Sequence, residues 1–215
     1  MKNIDKKLLK LILLFMALFF VLVLNILIDS FLVEADVQIM RLIGDFRNIQ
    51  MTKVFLFFTE LGSVQTAFTL GTLVLATLAL FGRWRMMQIF FLANVGGGIL
   101  YRVLKIFIQR ARPDEIFGLI SNSGYSFPSG HAATSMIFYG ILGYFLLYLC
   151  QKRWQKIIIA SVLAVTIFMI GISRMYLGVH WMSDILGGWL FGMMTIFGTI
   201  FIYRKWEEWC CTKSE

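Results

Sequence analysis

Between Lys10 and Asp29 the chain runs through LILLFMALFFVLVLNILI without a single charge. A stretch of that length and apolarity matches the hydrocarbon thickness of a bilayer, which takes roughly 20 residues of helix to cross. Similar runs follow, so that residues 8–28, 55–81, 87–107, 129–149, 156–172 and 181–203 read as six spans. None alternates strictly between apolar and polar residues, so helices and not barrel strands do the spanning. Composition agrees with this. The 215 residues are 59% hydrophobic and 15% charged, which leaves too little polar surface to disperse the chain in water. The expected fold is all-α, a polytopic membrane protein with six transmembrane helices in one domain, residues 1–215. The first apolar run is longer than a signal peptide's core of about 7–15 residues, and no small-residue cleavage site stands out after it; it reads as a retained span.

Residues 29–53 differ in kind. They carry charge, yet Ile39, Leu42, Ile43, Phe46 and Ile49 recur at helical spacing, which predicts an amphipathic helix along the membrane surface between the first and second spans. Such a segment is placed to lie over the mouth of a site and shape lipid entry. The basic residues set the orientation. Lys2, Lys6, Lys7, Lys10, Arg83, Arg85, Lys152, Arg153, Lys156, Arg204, Lys205 and Lys213 all fall on one side of a six-span arrangement, and the positive-inside rule makes that side cytoplasmic. Both termini are then inside. The net charge of +8 is explained by these loops, and nucleic acid is not an expected partner. Cys150, Cys210 and Cys211 show neither metal-ligand spacing nor a convincing pairing, and are read as free thiols on a reducing side.

Unusual chemistry gathers in the loops left outside. KIFIQRARP (residues 105–113), PSGH (128–131) and SRMYLGVHWMSD (173–184) contain both histidines and both prolines of the chain. Lys105 and Arg112 are seven residues apart, close to two helical turns, and point to one side if the helix persists that far. Pro113 would stop it there. Arg174 enters from a separate segment. Three converging cations suit a phosphate, which takes paired hydrogen bonds from guanidinium and a point charge from ammonium. Either of the first two alone reads equally well as a snorkelling boundary residue. In PSGH, Ser129 can cap the fourth span while Gly130 lets backbone approach a ligand, so free amides and the positive helix end would meet an anion. His180 and Asp184, four residues apart, allow the carboxylate to hold one imidazole nitrogen and leave the other as a nucleophile. A lone pair of this kind is more often structural, and no further His, Cys or carboxylate at ligand spacing argues for a metal.

Together these segments resemble the signature of the type 2 phosphatidic acid phosphatase superfamily, which includes glucose-6-phosphatase and the vanadium-dependent haloperoxidases. Lysine, six residues, then Arg-Pro is met by Lys105, Arg112 and Pro113. Pro-Ser-Gly-His is met by Pro128, Ser129, Gly130 and His131. Ser-Arg, five residues, His, three residues, Asp is met by Ser173, Arg174, His180 and Asp184. The resemblance covers residues 105–184. It implies that His180 attacks phosphorus and becomes a phosphohistidine, that Asp184 orients it, and that His131 protonates the leaving group. It implies further that Lys105, Arg112, Arg174, Ser129 and the Gly130 amide bind the phosphoryl oxygens, with no metal and no cofactor. Neutral His180 beside protonated His131 predicts a bell-shaped pH profile. A membrane setting argues for a phosphorylated lipid as substrate, with undecaprenyl diphosphate first, phosphatidylglycerol phosphate close behind and phosphatidic acid possible; membrane lipids are the surroundings, and no obligate protein partner is evident. The alternative is a transporter or flippase that binds a phosphorylated lipid without cleaving it, with the glycines of NVGGG (94–98) and LGG (186–188) as hinges. Close helix packing explains the same glycines more simply.

Overall fold

The computed structural model describes residues 2–212; the side chains of Lys2, Cys210 and Cys211, and all of Lys213, lie outside the described residues. The chain is built of α1 (Lys2–Leu27), α2 (Phe31–Asp45), α3 (Ile49–Leu61), α4 (Val64–Leu80), α5 (Trp84–Ile108), a short 3-10 turn (Glu115–Phe117), α6 (Gly130–Leu149), α7 (Arg153–Tyr176) and α8 (Met182–Thr212), with no strand among the described residues. Among the described residues five helices are long and apolar enough to cross a bilayer, and α3 with α4, bent by 47°, makes a sixth if the pair counts as one span. The second span, expected as one helix over residues 55–81, is therefore broken. Gly62 closes α3, and the Ser63 hydroxyl then accepts from the Thr66 amide at 3.2 Å to start α4 afresh. Packing requires glycine here: a Cβ on Gly62 would lie 2.5 Å from Ile170 Cγ2 and 3.1 Å from His131 Cδ2.

Helix α6 is central, half of its span being buried against α5, α7 and α8, whereas none of α1's span is. A helix enclosed by others must be apolar on every side. Ala133, Ile137, Phe138, Ile141 and Phe145 of α6 accordingly meet Phe90, Ile170 and Phe191 from its three neighbours. Glycines let the backbones close up. A Cβ on Gly188 of α8 would sit 2.7 Å from the Ser129 carbonyl oxygen, and one on Gly97 of α5 would sit 2.5 Å from Ile137 Cδ1. Both helices run unbroken through their glycine clusters, where Gly97, Gly187 and Gly188 serve close packing. On the outside, α1 lies along α8, with Asp5 paired to Arg204 Nε and Lys205 Nζ at 2.8 Å each.

The amphipathic segment becomes α2 and the first turn of α3, and its apolar stripe divides. Ile39 and Ile43 pack with Met40 against Met175 and Ile185, while Leu42, Phe46 and Ile49 stay exposed. A helix at this boundary has two apolar surroundings, protein and lipid, and residue spacing does not tell them apart. Helix α2 rests on α7, α8 and the 3-10 turn, at the end of the bundle that holds the polar segments.

Candidate active site

Helix α5 stops at Ile108, where Gln109 takes a left-handed φ of 52°, so the helical register linking Lys105 to Arg112 is lost before Arg112 is reached. The loop restores the convergence by other means. Arg112 donates from Nε to Gly124 O (2.8 Å), from Nη2 to Ser123 O (3.0 Å) and from Nη1 to Val179 O (2.7 Å). Lys105 Nζ donates to Tyr125 O at 2.6 Å, on the same stretch of loop. Carbonyl oxygens thus fix both cations without neutralising them. Arg174, buried in the last turn of α7, donates from Nη1 to Thr59 Oγ1 at 2.7 Å, and its Nε has no hydrogen-bond partner among the described residues.

Ser129 stands just before α6, but its hydroxyl does not cap the helix as expected: the oxygen is buried and has no hydrogen-bond partner among the described residues. Its amide is tied instead to Asp184 O at 2.9 Å, which joins PSGH to α8. Gly130 admits the ring of Tyr101, whose Cε2 lies 3.2 Å from where a Cβ would stand. His131, half-buried in the first turn of α6, has Arg174, His180, Lys105 and Arg112 all within electrostatic reach.

His180 precedes α8 by two residues, and Asp184 lies in that helix's first turn. The carboxylate reaches back to accept the Trp181 amide at 2.9 Å, as acidic residues do at helix starts, and the same oxygen lies 3.2 Å from His180 Nδ1. On the other side of the ring, Arg112 Nη1 is 3.4 Å from Nε2. A guanidinium can only donate, so Nε2 carries the lone pair and Nδ1 the proton. Burial pushes the His180 imidazole down to about 4, against the upward pull of Asp184's hydrogen bond and charge, so the ring is neutral near pH 7. Burial also pulls the Arg112 guanidinium below its usual range, with Asp184 opposing.

These eight residues meet at one end of a six-span bundle, which invites comparison with proteins of known structure. Residues 86–208 match the PAP2 superfamily. The chain belongs to that superfamily. It is 42% identical over 103 residues to phosphatidylglycerophosphatase B of Bacillus subtilis, a match covering 46% of this chain and 49% of that protein. Over 70 residues it is 40% identical to an undecaprenyl-diphosphatase of Sulfolobus acidocaldarius, covering 32% of this chain and 29% of that one. These matches span half or less of the relatives' length. The crystal structure of a transmembrane PAP2-type phosphatidylglycerolphosphate phosphatase from Bacillus subtilis aligns with a TM-score of 0.79 at 27% identity, over 92% of this chain and 96% of that one. The chain is accordingly a multi-pass membrane protein of the PAP2 fold, its likeness extending well beyond the three motifs.

Four side chains at this PAP2 site escape a reading of the motifs. Thr59 holds Arg174, while Arg110, Asp36 and Ser183 form a buried group behind Asp184. Arg110 is visible in the sequence two places before Arg112, and Asp36 shares a helical stripe with Met40 and Ile43. Neither position announces its partner, because every one of these pairings is long-range.

Proposed function

We propose that this protein is an integral-membrane lipid phosphatase that works through a phosphohistidine at His180. The observation that carries the reading is the two-sided fixing of that imidazole, with Nδ1 on Asp184 and Nε2 facing Arg112. Nε2 attacks phosphorus in line; the N–P bond forms as the P–O bond to the lipid breaks, and His131 gives its proton to the departing oxygen. Water, deprotonated by His131, then attacks phosphorus, and the N–P bond breaks to release phosphate and neutral His180. Lys105, Arg112 and Arg174 balance the phosphoryl charge, aided by the unpartnered Ser129 hydroxyl and the Gly130 amide. Three fixed cations supply the charge that a metal ion provides elsewhere.

For the substrate, the relatives' names support phosphatidylglycerol phosphate and undecaprenyl diphosphate. We take the first as the leading candidate because the structural likeness to a phosphatase of that lipid runs along nearly the whole chain. The topology read from the basic loops puts the site at the outer face of the cell membrane, with both termini in the cytoplasm. A membrane-impermeant maleimide should label Asn122→Cys on intact cells, in a chain whose native cysteines are replaced by serine; labelling only after lysis would reverse this orientation.

The decisive experiment is phosphate release by detergent-purified protein, with EDTA present, from undecaprenyl diphosphate, phosphatidylglycerol phosphate and phosphatidic acid, beside His180→Ala. Release that is abolished in the variant supports the reading. Release that persists in the variant, or binding of a phosphorylated lipid without cleavage, overturns it; binding alone would point to transport.

A further inference from the structure

Behind His180 a line of buried charge leads away from the phosphate-binding cations and ends on α2. Asp184, fully buried, gives one carboxylate oxygen to His180 and the Trp181 amide. Its other oxygen accepts from Arg110 Nη1 at 2.7 Å and from the Ser126 hydroxyl at 3.4 Å. Arg110 Nη2 continues to Asp36 Oδ2, also at 2.7 Å, and the guanidinium lies 5.9 Å from the Trp181 ring centre. Ser183 braces the group: its hydroxyl accepts from Arg110 Nη1 at 2.6 Å and donates to Asp36 Oδ2, while its amide donates to Asp36 Oδ1 at 3.0 Å. The side chains of Arg110, Asp36 and Asp184 are only 8%, 3% and 0% exposed.

We propose that Arg110 and Asp36 are positioning residues for the phosphohistidine chemistry, a reading that rests on His180 as the nucleophile. A carboxylate removed from water needs a counter-charge, or it gains a proton and no longer accepts from Nδ1 in the same way. Neutral His180 cannot supply that charge, and Arg110 is the one cation hydrogen-bonded to Asp184 among the described residues. One guanidinium edge serves two carboxylates, so the direction of Arg110 is set by Asp36 as much as by Asp184. The trio carries one net negative charge beside the imidazole, which favours the positive charge that the ring takes up as Nε2 bonds to phosphorus. Among the described residues neither Arg110 nor Asp36 is hydrogen-bonded to the phosphate-binding cations. Their removal should therefore slow the chemical step and leave binding alone. Asp36 also makes the seating of α2 a condition for the alignment of His180.

The test uses full-length protein in detergent with short-chain phosphatidic acid, following kcat, KM, inhibition by inorganic phosphate and the melting temperature. Outer partners of this kind typically contribute about 10- to 100-fold, so Arg110→Ala should lower kcat by roughly 100-fold and Arg110→Lys or Asp36→Asn by roughly 10-fold. KM and phosphate inhibition should stay within about 2-fold. Adding Asp36→Asn to Arg110→Ala should cost nothing further, since Asp36 acts through Arg110. Should Arg110→Ala fail to fold, the lysine variant combined with Asp36→Asn carries the same test. Wild-type kcat in Arg110→Lys and Asp36→Asn overturns the proposal. So does a rise in KM and in the phosphate inhibition constant that matches the fall in kcat, or a loss in the double variant equal to the product of the single losses. A wild-type protein that releases no phosphate from phosphatidylglycerol phosphate, undecaprenyl diphosphate or phosphatidic acid overturns the nucleophile assignment and this proposal with it, whereas active wild type, inactive His180→Ala and unimpaired Arg110→Lys overturn this proposal alone.

Discussion

Gly188→Ala adds one methyl group at the seam that joins the two halves of the site. Its new carbon would stand 2.7 Å from the Ser129 carbonyl oxygen, 2.8 Å from Ala132 Cβ and 3.0 Å from the Ala133 amide nitrogen. Two of these neighbours are backbone atoms, of Ser129 just before α6 and of Ala133 within it, so no side-chain rotation relieves the clash. Ordinary contact begins at 3.4 Å, hence α6 and α8 must separate by the 0.7 Å between 2.7 and 3.4. That separation falls where Ser129 and His131, at the start of α6, face His180 and Asp184, at the start of α8. Overpacking of this kind costs about 1–3 kcal/mol, which at this chain length lowers the melting temperature by roughly 2–4 °C per kcal/mol. A displacement approaching 1 Å between catalytic groups costs up to about 100-fold in rate, so kcat should fall by roughly 10- to 100-fold. Gly198→Ala, on the same helix with nothing within 4 Å, is the control; it should keep the wild-type rate and gain at most about 1 kcal/mol from helix propensity. Both variants are assayed for phosphate release from short-chain phosphatidic acid and for thermal melting in detergent. A Gly188→Ala protein with wild-type kcat would refute the argument that contact between these two backbones sets the site's geometry.

Other consequences can be measured on the same preparation. Because His180 must be neutral to attack and burial holds it near 4, kcat/KM should rise as pH increases through about 4; an acid limb near the ordinary 6.5 would contradict the burial argument. Between those two values the unfolded chain binds a proton on His180 that the folded chain does not, so stability should drop as pH falls from 6.5 to 4, read as melting temperature. Thr59→Val removes the hydroxyl that holds Arg174 and should cost about 1–3 kcal/mol of phosphate affinity, seen as at least roughly 5-fold weaker inhibition by inorganic phosphate. An unchanged inhibition constant would mean that Arg174 is held in place without it. Phe46→Asp, on the exposed corner between α2 and α3, should weaken turnover of a long-chain lipid in bilayers more than that of a short soluble substrate; equal effects on both would remove α2 from any role in lipid entry.

Much of the site was legible because its residues come as short local patterns. His180 and Asp184 are one helical turn apart, PSGH is contiguous at a helix start, and Lys105 and Arg112 share one segment. Spacing of this kind survives whatever the rest of the chain does. The second span shows where local reading fails. Between residues 55 and 81 it carries a single charge, Glu60, yet the chain breaks at Gly62, because Ser63 caps a new helix and the space beside Gly62 is taken by Ile170 and His131. Arg112 is a second case, since the expected helical register ended at Gln109 and carbonyl groups of the following loop took over the task of aiming it.

By itself the sequence determined the membrane as solvent, the helical class, the number of spans and the three motifs. Each depends on the length of an apolar run or on residues within a turn or two of one another. Tertiary structure alone decided that α6 is the central helix, that Arg112 lies at the far side of the His180 ring, and that a guanidinium two residues upstream ties Asp184 to Asp36 in a different helix. Those pairings link positions 68 to 74 residues apart, and the free energy that selects them is the cost of leaving a buried charge unpaired. That cost takes effect only once the helices have packed and excluded both water and lipid from the end of the bundle.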